Sequence, residues 1–234
     1  MKISCVWEHN GNDSLLYAAN LPGAYTRGES REIAMDKMKQ EAWAYLNWKG
    51  VQLPISLEIE IEQEKASDLD IRDADSDVLF GAEREPLTWE EYIILKDLTI
   101  KSAENFLALY EAVPEKNRSI LPVRRTFYGQ VPRSAEEMYI HTKNVNSYYF
   151  GEIGVDTDNE GTIAECRKRG FEALEAIPDF LNNPVFEGSY GEEWTLRKVL
   201  RRFLWHDRIH AKAMYRMAMK TFGEGCVPNV FAFT

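Results

Sequence analysis

Apolar and polar residues alternate through the first part of the chain, with one amphipathic stretch between the alternating segments. The alternation over residues 2–8 and 14–20, separated by an Asn-Gly turn, predicts a β-hairpin. Apolar residues recur at helical spacing over residues 30–48, which predicts an amphipathic helix. Residues 56–64 alternate Leu and Ile with Glu, which predicts a strand with one acidic, solvated face. The order strand, strand, helix, strand describes a small α+β domain.

Helical periodicity replaces this alternation in the second part of the chain. Three capping boxes, in which a Ser or Thr is followed three residues later by Glu, begin at Thr88, Ser134 and Thr162, and an apolar run follows each of them. Thr195 is a suitable N-cap for a fourth helix. The helices are expected at residues 88–112, 134–151, 162–182 and 195–221. Four amphipathic helices of this length predict an antiparallel four-helix bundle.

The acidic residues of the chain are concentrated between its first and second parts. The chain has 234 residues and a net charge of −10, and residues 55–91 hold 13 acidic against 3 basic residues. Because residues 65–87 lack periodicity, we expect an α+β domain over 1–64, an acidic linker over 65–87 and a helical bundle over 88–225, which gives an α+β fold class. The acidic balance argues against nucleic acid as a partner. The basic residues of the last predicted helix are interpreted as a solvated face.

Compartment and membrane association can be predicted from apolar runs and cysteines. No apolar run approaches the roughly 20 residues needed to span a bilayer, so we expect no membrane partner. The three cysteines are far apart and form no Cys-x-x-Cys pair, which fits reduced thiols in the cytoplasm. Cys166 falls on the apolar stripe of the third predicted helix, where a core position is a better interpretation than a nucleophile.

Two histidines interrupt the apolar stripe of the last predicted helix. The stripe recurs at spacings of three and four residues and consists of Val199, Phe203, His206, His210, Met214 and Met217. His141 lies on a similar stripe of the second predicted helix. Two imidazoles one turn apart and a third from a facing helix supply three ligands to a divalent ion and leave one position open, as in catalytic sites. Zinc or nickel is the expected ion, and iron or manganese is compatible with the same ligands.

Residues around the histidines suggest further roles. Asp207 follows the first histidine of the pair, so that this segment resembles the zincin motif His-Glu-x-x-His with Asp for Glu. The shorter acid and the lack of a third ligand downstream argue against a peptidase, but Asp207 is a candidate catalytic base if its side chain faces the cavity. Candidates for lining a pocket are Tyr148, Tyr149, Arg202 and Trp205. The alternative is that the histidines are core residues satisfied by hydrogen bonds alone.

The second part of the chain resembles the DinB family of metal-binding four-helix bundles. The residues that carry the resemblance run from Glu193 to His210, with the His-x-x-x-His pair at the end, together with His141 upstream. One histidine on the second helix and two on the last form the metal triad of that family. The resemblance implies that His141, His206 and His210 bind the metal. It also implies an activity such as thiol-dependent S-transfer or isomerisation.

The first part of the chain resembles the small HicB-type antitoxin fold. The shared pattern is a strand, the turn Leu21-Pro22-Gly23, and a Gly-x-Ser segment ending at Ser30 before an amphipathic helix. HicB antitoxins use this fold to occlude a small ribonuclease toxin. Because a helical bundle follows here in place of a DNA-binding segment, the resemblance implies a binding or dimerisation module rather than an antitoxin.

Two functions are therefore expected. In the first, the chain is a metal-dependent enzyme, a thiol S-transferase or a hydrolase, that acts on a small molecule or uses a low-molecular-weight thiol. In the second, the bundle is a scaffold, and the first domain engages a protein partner or a second copy of the chain as a homodimer. The acidic face of residues 56–64 favours a basic partner.

Overall fold

The chain begins with a four-stranded sheet covered by one helix. A computed structural model describes residues 1–67, 78–126 and 129–234. The N-terminal unit, residues 1–67, consists of strands β1 (Lys2–Asn10), β2 (Asp13–Ala18) and β3 (Tyr25–Gly28), helix α1 (Arg31–Lys49) and strand β4 (Glu58–Ala66). The strand order is β3-β2-β1-β4, with β2 antiparallel to both neighbours and β4 parallel to β1. Helix α1 packs on the sheet and provides the crossover that parallel strands require.

Four further α-helices follow. They are α2 (Trp89–Ala112), α3 (Ala135–Gly151), α4 (Ile163–Glu175) and α5 (Leu196–Phe222). Two-stranded ribbons lie between them, β5 (Arg125–Thr126) with β6 (Gly129–Gln130), and β7 (Phe186–Glu187) with β8 (Glu193–Trp194). The expected capping boxes at Thr88, Ser134 and Thr162 are all formed. In each, the hydroxyl accepts a hydrogen bond from the backbone N–H of the Glu three residues later, and the carboxylate of that Glu accepts one from the backbone N–H of the Ser or Thr.

Helices α2 to α5 pack against one another. Helix α5 contacts α2 and α3, and α4 contacts the same two helices. Buried aromatic side chains fill part of the space between them, including Phe150, Phe171 and Phe203. The mixed α+β organisation expected from the sequence, with a sheet first and helices after it, is confirmed.

The N-terminal unit and α5 share one apolar core. Met38 and Tyr45 of α1 belong to the same buried cluster as Leu204 and Met214 of α5. The turn before β3 approaches α5 especially closely, since a Cβ atom at Gly23 would lie 2.7 Å from Cβ of Leu204. Gly23 also has a φ of +93°, which disfavours other residues. The sheet is therefore fixed against the helix that carries two of the predicted ligands.

The third predicted helix is shorter than expected. It was expected over 162–182 but ends at Glu175. Pro178 disfavours helical backbone in the residue before it, and Asp179 takes a left-handed conformation with φ of 57°. A single 3₁₀ turn (Phe180–Asn182) follows in place of the last α-helical turns.

The segment between β4 and α2 is fixed to α5 at its C-terminal end. Of the expected acidic linker over 65–87, residues 68–77 lie outside the described part of the chain. Phe80 is buried, and a 3₁₀ turn follows at Gly81–Arg84. Glu83 in this turn is also buried and pairs with Arg201 of α5.

Four of the eight Lys and Arg side chains of α5 are buried, so the interpretation of its basic residues as a solvated face is wrong for this half of them. Lys198, Arg201, Arg202 and Arg208 are at most 3% exposed. Three of them pair with carboxylates from other segments, namely Glu192, Glu83 and Glu41. The interpretation failed for Arg201 and Arg208 because Glu83 and Glu41 are distant in sequence and cover the helix only after folding.

Candidate metal centre

Helices α3 and α5 bring the three predicted histidine ligands together. His206 and His210 lie one turn apart on α5, and the ring of His141 meets both of them from α3. One potential ligand nitrogen of each lies within 4.8 Å of those of the other two. The three side chains are close enough to hold one metal ion. In the part of the chain that the structure describes, no other group of His, Cys, Asp and Glu side chains meets this condition.

The distances between the imidazoles fit a small ion. Nε2 of His206 lies 3.2 Å from Nε2 of His141. Two nitrogens bound to one zinc ion at the tetrahedral angle lie about 3.3 Å apart. The ring centroid of His210 is 4.6 Å from that of His141 and 4.5 Å from that of His206. The three rings therefore surround one small volume between α3 and α5.

Burial keeps two of the imidazoles neutral. Desolvation lowers the pKa of His206 well below its usual value, and the neighbouring His210 and His141 lower it further. Desolvation and His141 lower the pKa of His210 to about 3. A metal binds the neutral imidazole through its free lone pair. Both histidines of α5 are thus in the ligating form at neutral pH.

The site is open on one side. His206 is 5% exposed, His210 is half-buried and His141 is exposed. The group of three histidines therefore reaches the protein surface at His141. On the buried side, the ring of Tyr149 meets that of His206 edge-on, with centroids 6.0 Å apart.

The two tyrosines predicted to line a pocket have different surroundings. Tyr149 is buried and contacts His206, as described above. Tyr148 is 38% exposed and packs edge-on against the ring of Trp194. Of the two tyrosines, only Tyr149 therefore has a described ring contact with a predicted ligand.

Arg202 and Trp205, also predicted to line a pocket, are both buried beside the site. The guanidinium carbon of Arg202 lies 4.9 Å from the ring centroid of Trp205. Trp205 packs edge-on against Tyr17 and Tyr25 of the N-terminal unit, and its ring centroid is 6.1 Å from that of His206. Trp205 thus lies between two tyrosines of the sheet and the ring of His206.

Asp207, the candidate base, lies away from the ligand line. Its side chain is completely buried, and its Oδ1 accepts a hydrogen bond from Nη2 of Arg167 at 3.3 Å. Burial raises the pKa of Asp207, against the opposing effect of Arg167. Asp207 is not among the side chains that converge with His206, because adjacent residues on a helix point about 100° apart. Its carboxylate instead lies between α5 and α4, where it pairs with Arg167.

Sequence reasoning missed Arg167, the partner of Asp207. Arg167 is fully buried on α4, and its guanidinium carbon lies 3.6 Å from the ring centroid of Phe203. A signal was present, because Arg167 lies four residues before Phe171 on the apolar face of the helix. Cys166, interpreted as a core residue, is indeed buried, and burial raises the pKa of its thiol.

Among the described helices, none combines the length and the apolar character needed to cross a bilayer. Comparisons with protein-family models, with curated proteins and with solved structures find no match.

Proposed function

We propose that the chain is a metal-dependent enzyme of the DinB type in which His141, His206 and His210 hold one divalent ion. Zinc or nickel is the proposed ion, and iron or manganese suits the same ligands. The observation that carries the proposal is the convergence of three histidine nitrogens, from two helices, at a site with an exposed side. When bound, such an ion polarises a substrate group or lowers the pKa of a coordinated thiol or water.

The donor set favours a catalytic role over a structural one. Structural zinc sites are closed by four protein ligands, commonly including cysteines, whereas catalytic sites use three and keep one position open. Within the described ranges, no fourth His, Cys, Asp or Glu joins the three histidines. Because His206 and His210 bind as neutral groups, they leave the full positive charge of the ion available to a substrate.

The proposed substrate is a small molecule, with a low-molecular-weight thiol as cosubstrate. Exposed His141 marks the side from which such a molecule approaches, and the ring of Tyr149 closes the opposite side. The resemblance of the helical part to the DinB family favours thiol S-transfer, and hydrolysis is the other reaction that the ligand set supports. Asp207, buried and paired with Arg167, fits a positioning role better than proton transfer to substrate.

Metal analysis of the purified protein tests the proposal. The wild-type protein is expected to retain one divalent ion per chain after extensive dialysis, and His206→Ala is expected to lose it. His9→Ala is the matched control, since His9 lies in the N-terminal unit and contacts Glu64 at 2.9 Å. The proposal is wrong if the wild-type protein binds no ion, or if His206→Ala and His9→Ala retain equal amounts.

A second candidate function is supported by the edge of the sheet. Strand β4 is an outer strand, and its solvent-exposed face carries Glu58, Glu60, Glu62 and Glu64. In this alternative the N-terminal unit, which resembles HicB, binds a basic protein along that face. Antiparallel pairing of β4 with a second copy would place like charges opposite one another, so a basic partner fits better than a homodimer. Replacing Glu58 and Glu62 with Lys would then abolish partner binding, and His206→Ala would not.

A further inference from the structure

Two exposed segments of the chain carry opposite charges. Residues 51–64 contain four acidic residues and no basic one, whereas residues 116–126 contain four basic residues and no acidic one. We refer to residues 51–64 as the acidic segment and to residues 116–126 as the basic segment. Apart from half-buried Lys116, all eight charged residues are exposed. They are Glu58, Glu60, Glu62 and Glu64 in the acidic segment, and Lys116, Arg118, Arg124 and Arg125 in the basic segment.

Each segment also exposes aliphatic side chains beside its charges. In the acidic segment they are Val51, Leu53 and Ile55, and Ile55 is completely exposed. In the basic segment, Ile120 is 64% exposed and Val123 is 58% exposed. Exposed apolar groups rimmed by polar residues mark surfaces that bind other molecules. The two segments therefore complement each other in two respects, since both offer aliphatic side chains and their charges are opposite.

The two segments are attached to different ends of helix α5. Near the end of the acidic segment, the side-chain oxygen of Gln63 accepts a hydrogen bond from the N–H of Gly81 at 2.8 Å. Gly81 begins the 3₁₀ turn that pairs with Arg201 in the first part of α5. In the basic segment, the N–H of Ile120 donates to the hydroxyl of Thr221 in the last turn of α5, at 3.4 Å. Arg201 and Thr221 lie about 30 Å apart along the helix, so these attachments are far apart within one chain.

Charges of both segments form exposed ion pairs with near neighbours in the single chain. Glu60 pairs with Lys2 of β1, and Arg118 pairs with Glu115 at 2.8 Å. All four side chains are about half exposed. Exposed pairs of this kind contribute little to stability. Exchanging them for pairs with another molecule therefore costs little.

We propose that the basic segment of one copy of the chain binds the acidic segment of a second copy. Charge complementarity favours this occupant, because four basic residues meet four acidic ones. The same contact covers aliphatic side chains of both segments. It differs from pairing of β4 with β4, which places like charges opposite one another. The contact uses the acidic face of the second candidate function, takes the basic partner from the chain itself, and does not depend on a bound metal.

Sedimentation velocity of the full metal-free chain measures this self-association. The wild-type protein is expected to associate at low salt, so that its average mass rises with protein concentration. We expect the association constant to fall by about 10-fold or more between about 0.02 M and 0.5 M salt, because salt screens contacts between exposed charges.

Charge reversal identifies the two surfaces. Glu58→Lys/Glu62→Lys and Arg118→Glu/Arg125→Glu should each abolish self-association, because each variant brings like charges together. A mixture of the two variants should associate as the wild-type protein does, because the reversed acidic segment then meets the reversed basic segment. Recovery in the mixture also shows that both variants are folded.

Lys39→Glu/Lys168→Glu is the matched control for the basic segment. It removes two exposed cations outside both segments and changes the net charge by the same amount as Arg118→Glu/Arg125→Glu. The control should associate as the wild-type protein does.

Three sedimentation results would overturn the inference. The first is a wild-type protein that stays monomeric at low salt up to about 0.5 mM, the second is equal loss of association in the control, and the third is a mixture that does not recover. Binding of a monomeric wild-type protein to phosphatidylserine vesicles would also overturn it, because the occupant would then be a lipid surface. Since the protein is free of metal, failure here leaves the proposed metal site untouched, and loss of that site leaves this inference standing.

Discussion

Removal of Glu41 should strongly destabilise the protein. Its carboxylate pairs with Arg208 at 2.7 Å, and the two side chains are 6% and 1% exposed. In Glu41→Ala the guanidinium of Arg208 stays buried, and within the described chain its Nε and Nη1 have no other partner. Breaking a buried pair by removing one member costs about 3–5 kcal/mol. Lys212, whose Nζ is 3.4 Å from Glu41, is 23% exposed and can turn to solvent, so its lost contact adds little.

Aromatic rings around Arg208 place the expected loss at the lower end of that range. The guanidinium carbon lies 5.1 Å from the ring centroid of Trp48 and 5.8 Å from that of Phe231. These cation–π contacts remain in Glu41→Ala and stabilise the unpaired charge, each by about 0.5–1 kcal/mol. We therefore expect a loss of about 3 kcal/mol. For a chain of this size each kcal/mol lowers Tm by about 2–4 °C, which gives a decrease of about 6–12 °C.

Thermal and urea unfolding followed by circular dichroism measure this effect. Gln40→Ala is the control, because Gln40 is the exposed neighbour of Glu41 and its loss should change stability by less than about 0.5 kcal/mol. Glu41→Leu/Arg208→Met should recover most of the lost stability, since it leaves no unpaired charge. If Tm falls no further in Glu41→Ala than in Gln40→Ala, the buried pair does not hold the N-terminal unit against α5, and the reasoning is refuted.

Three further predictions concern backbone, pH and thiols. Gly23→Ala should lower the urea midpoint more than Gly50→Ala, because both positions have positive φ but only Gly23 has atoms of α5 within 4 Å; equal effects would contradict the close approach. The metal-free protein should lose stability as pH falls from about 6.5 towards 3, since the unfolded chain takes up protons there while His206 and His210, with lowered pKa values, stay neutral when folded. Urea midpoints across this range measure the effect, and a pH-independent midpoint would refute it. A thiol reagent should modify only Cys226 in the native protein, because the other two cysteines are buried and burial raises their pKa values. Mass spectrometry counts the labels, and rapid labelling of a second cysteine would contradict the described packing.

Local patterns in the sequence were enough to predict most helix starts and the histidine group. A capping box such as that at Ser134 involves residues three positions apart, so its geometry is encoded locally. The i, i+4 spacing of His206 and His210 likewise places both on one helix face. The meeting of His141 with this pair depended on one further assumption, that both apolar stripes point towards the same interior, and the three nitrogens do converge.

Interactions between distant segments could not be predicted in the same way. The pairs that bury Arg201 and Arg208 join residues more than a hundred positions apart, and no local periodicity shows which carboxylate will cover which guanidinium. The position of Asp207 is of the same kind, because helical spacing shows that its side chain points about 100° away from that of His206 but not which group it meets. Only the packing of α4 brings Arg167 to it.

X-ray absorption spectroscopy of the protein loaded with one equivalent of zinc tests the central claim most directly. The account predicts a first shell that contains three imidazole nitrogens at about 2.0–2.1 Å, with one oxygen ligand from solvent. It also predicts that His141→Ala reduces the imidazole count by one. A shell of oxygen ligands without imidazole scattering, or a spectrum unchanged in His141→Ala, would contradict the claim that these three histidines hold the ion.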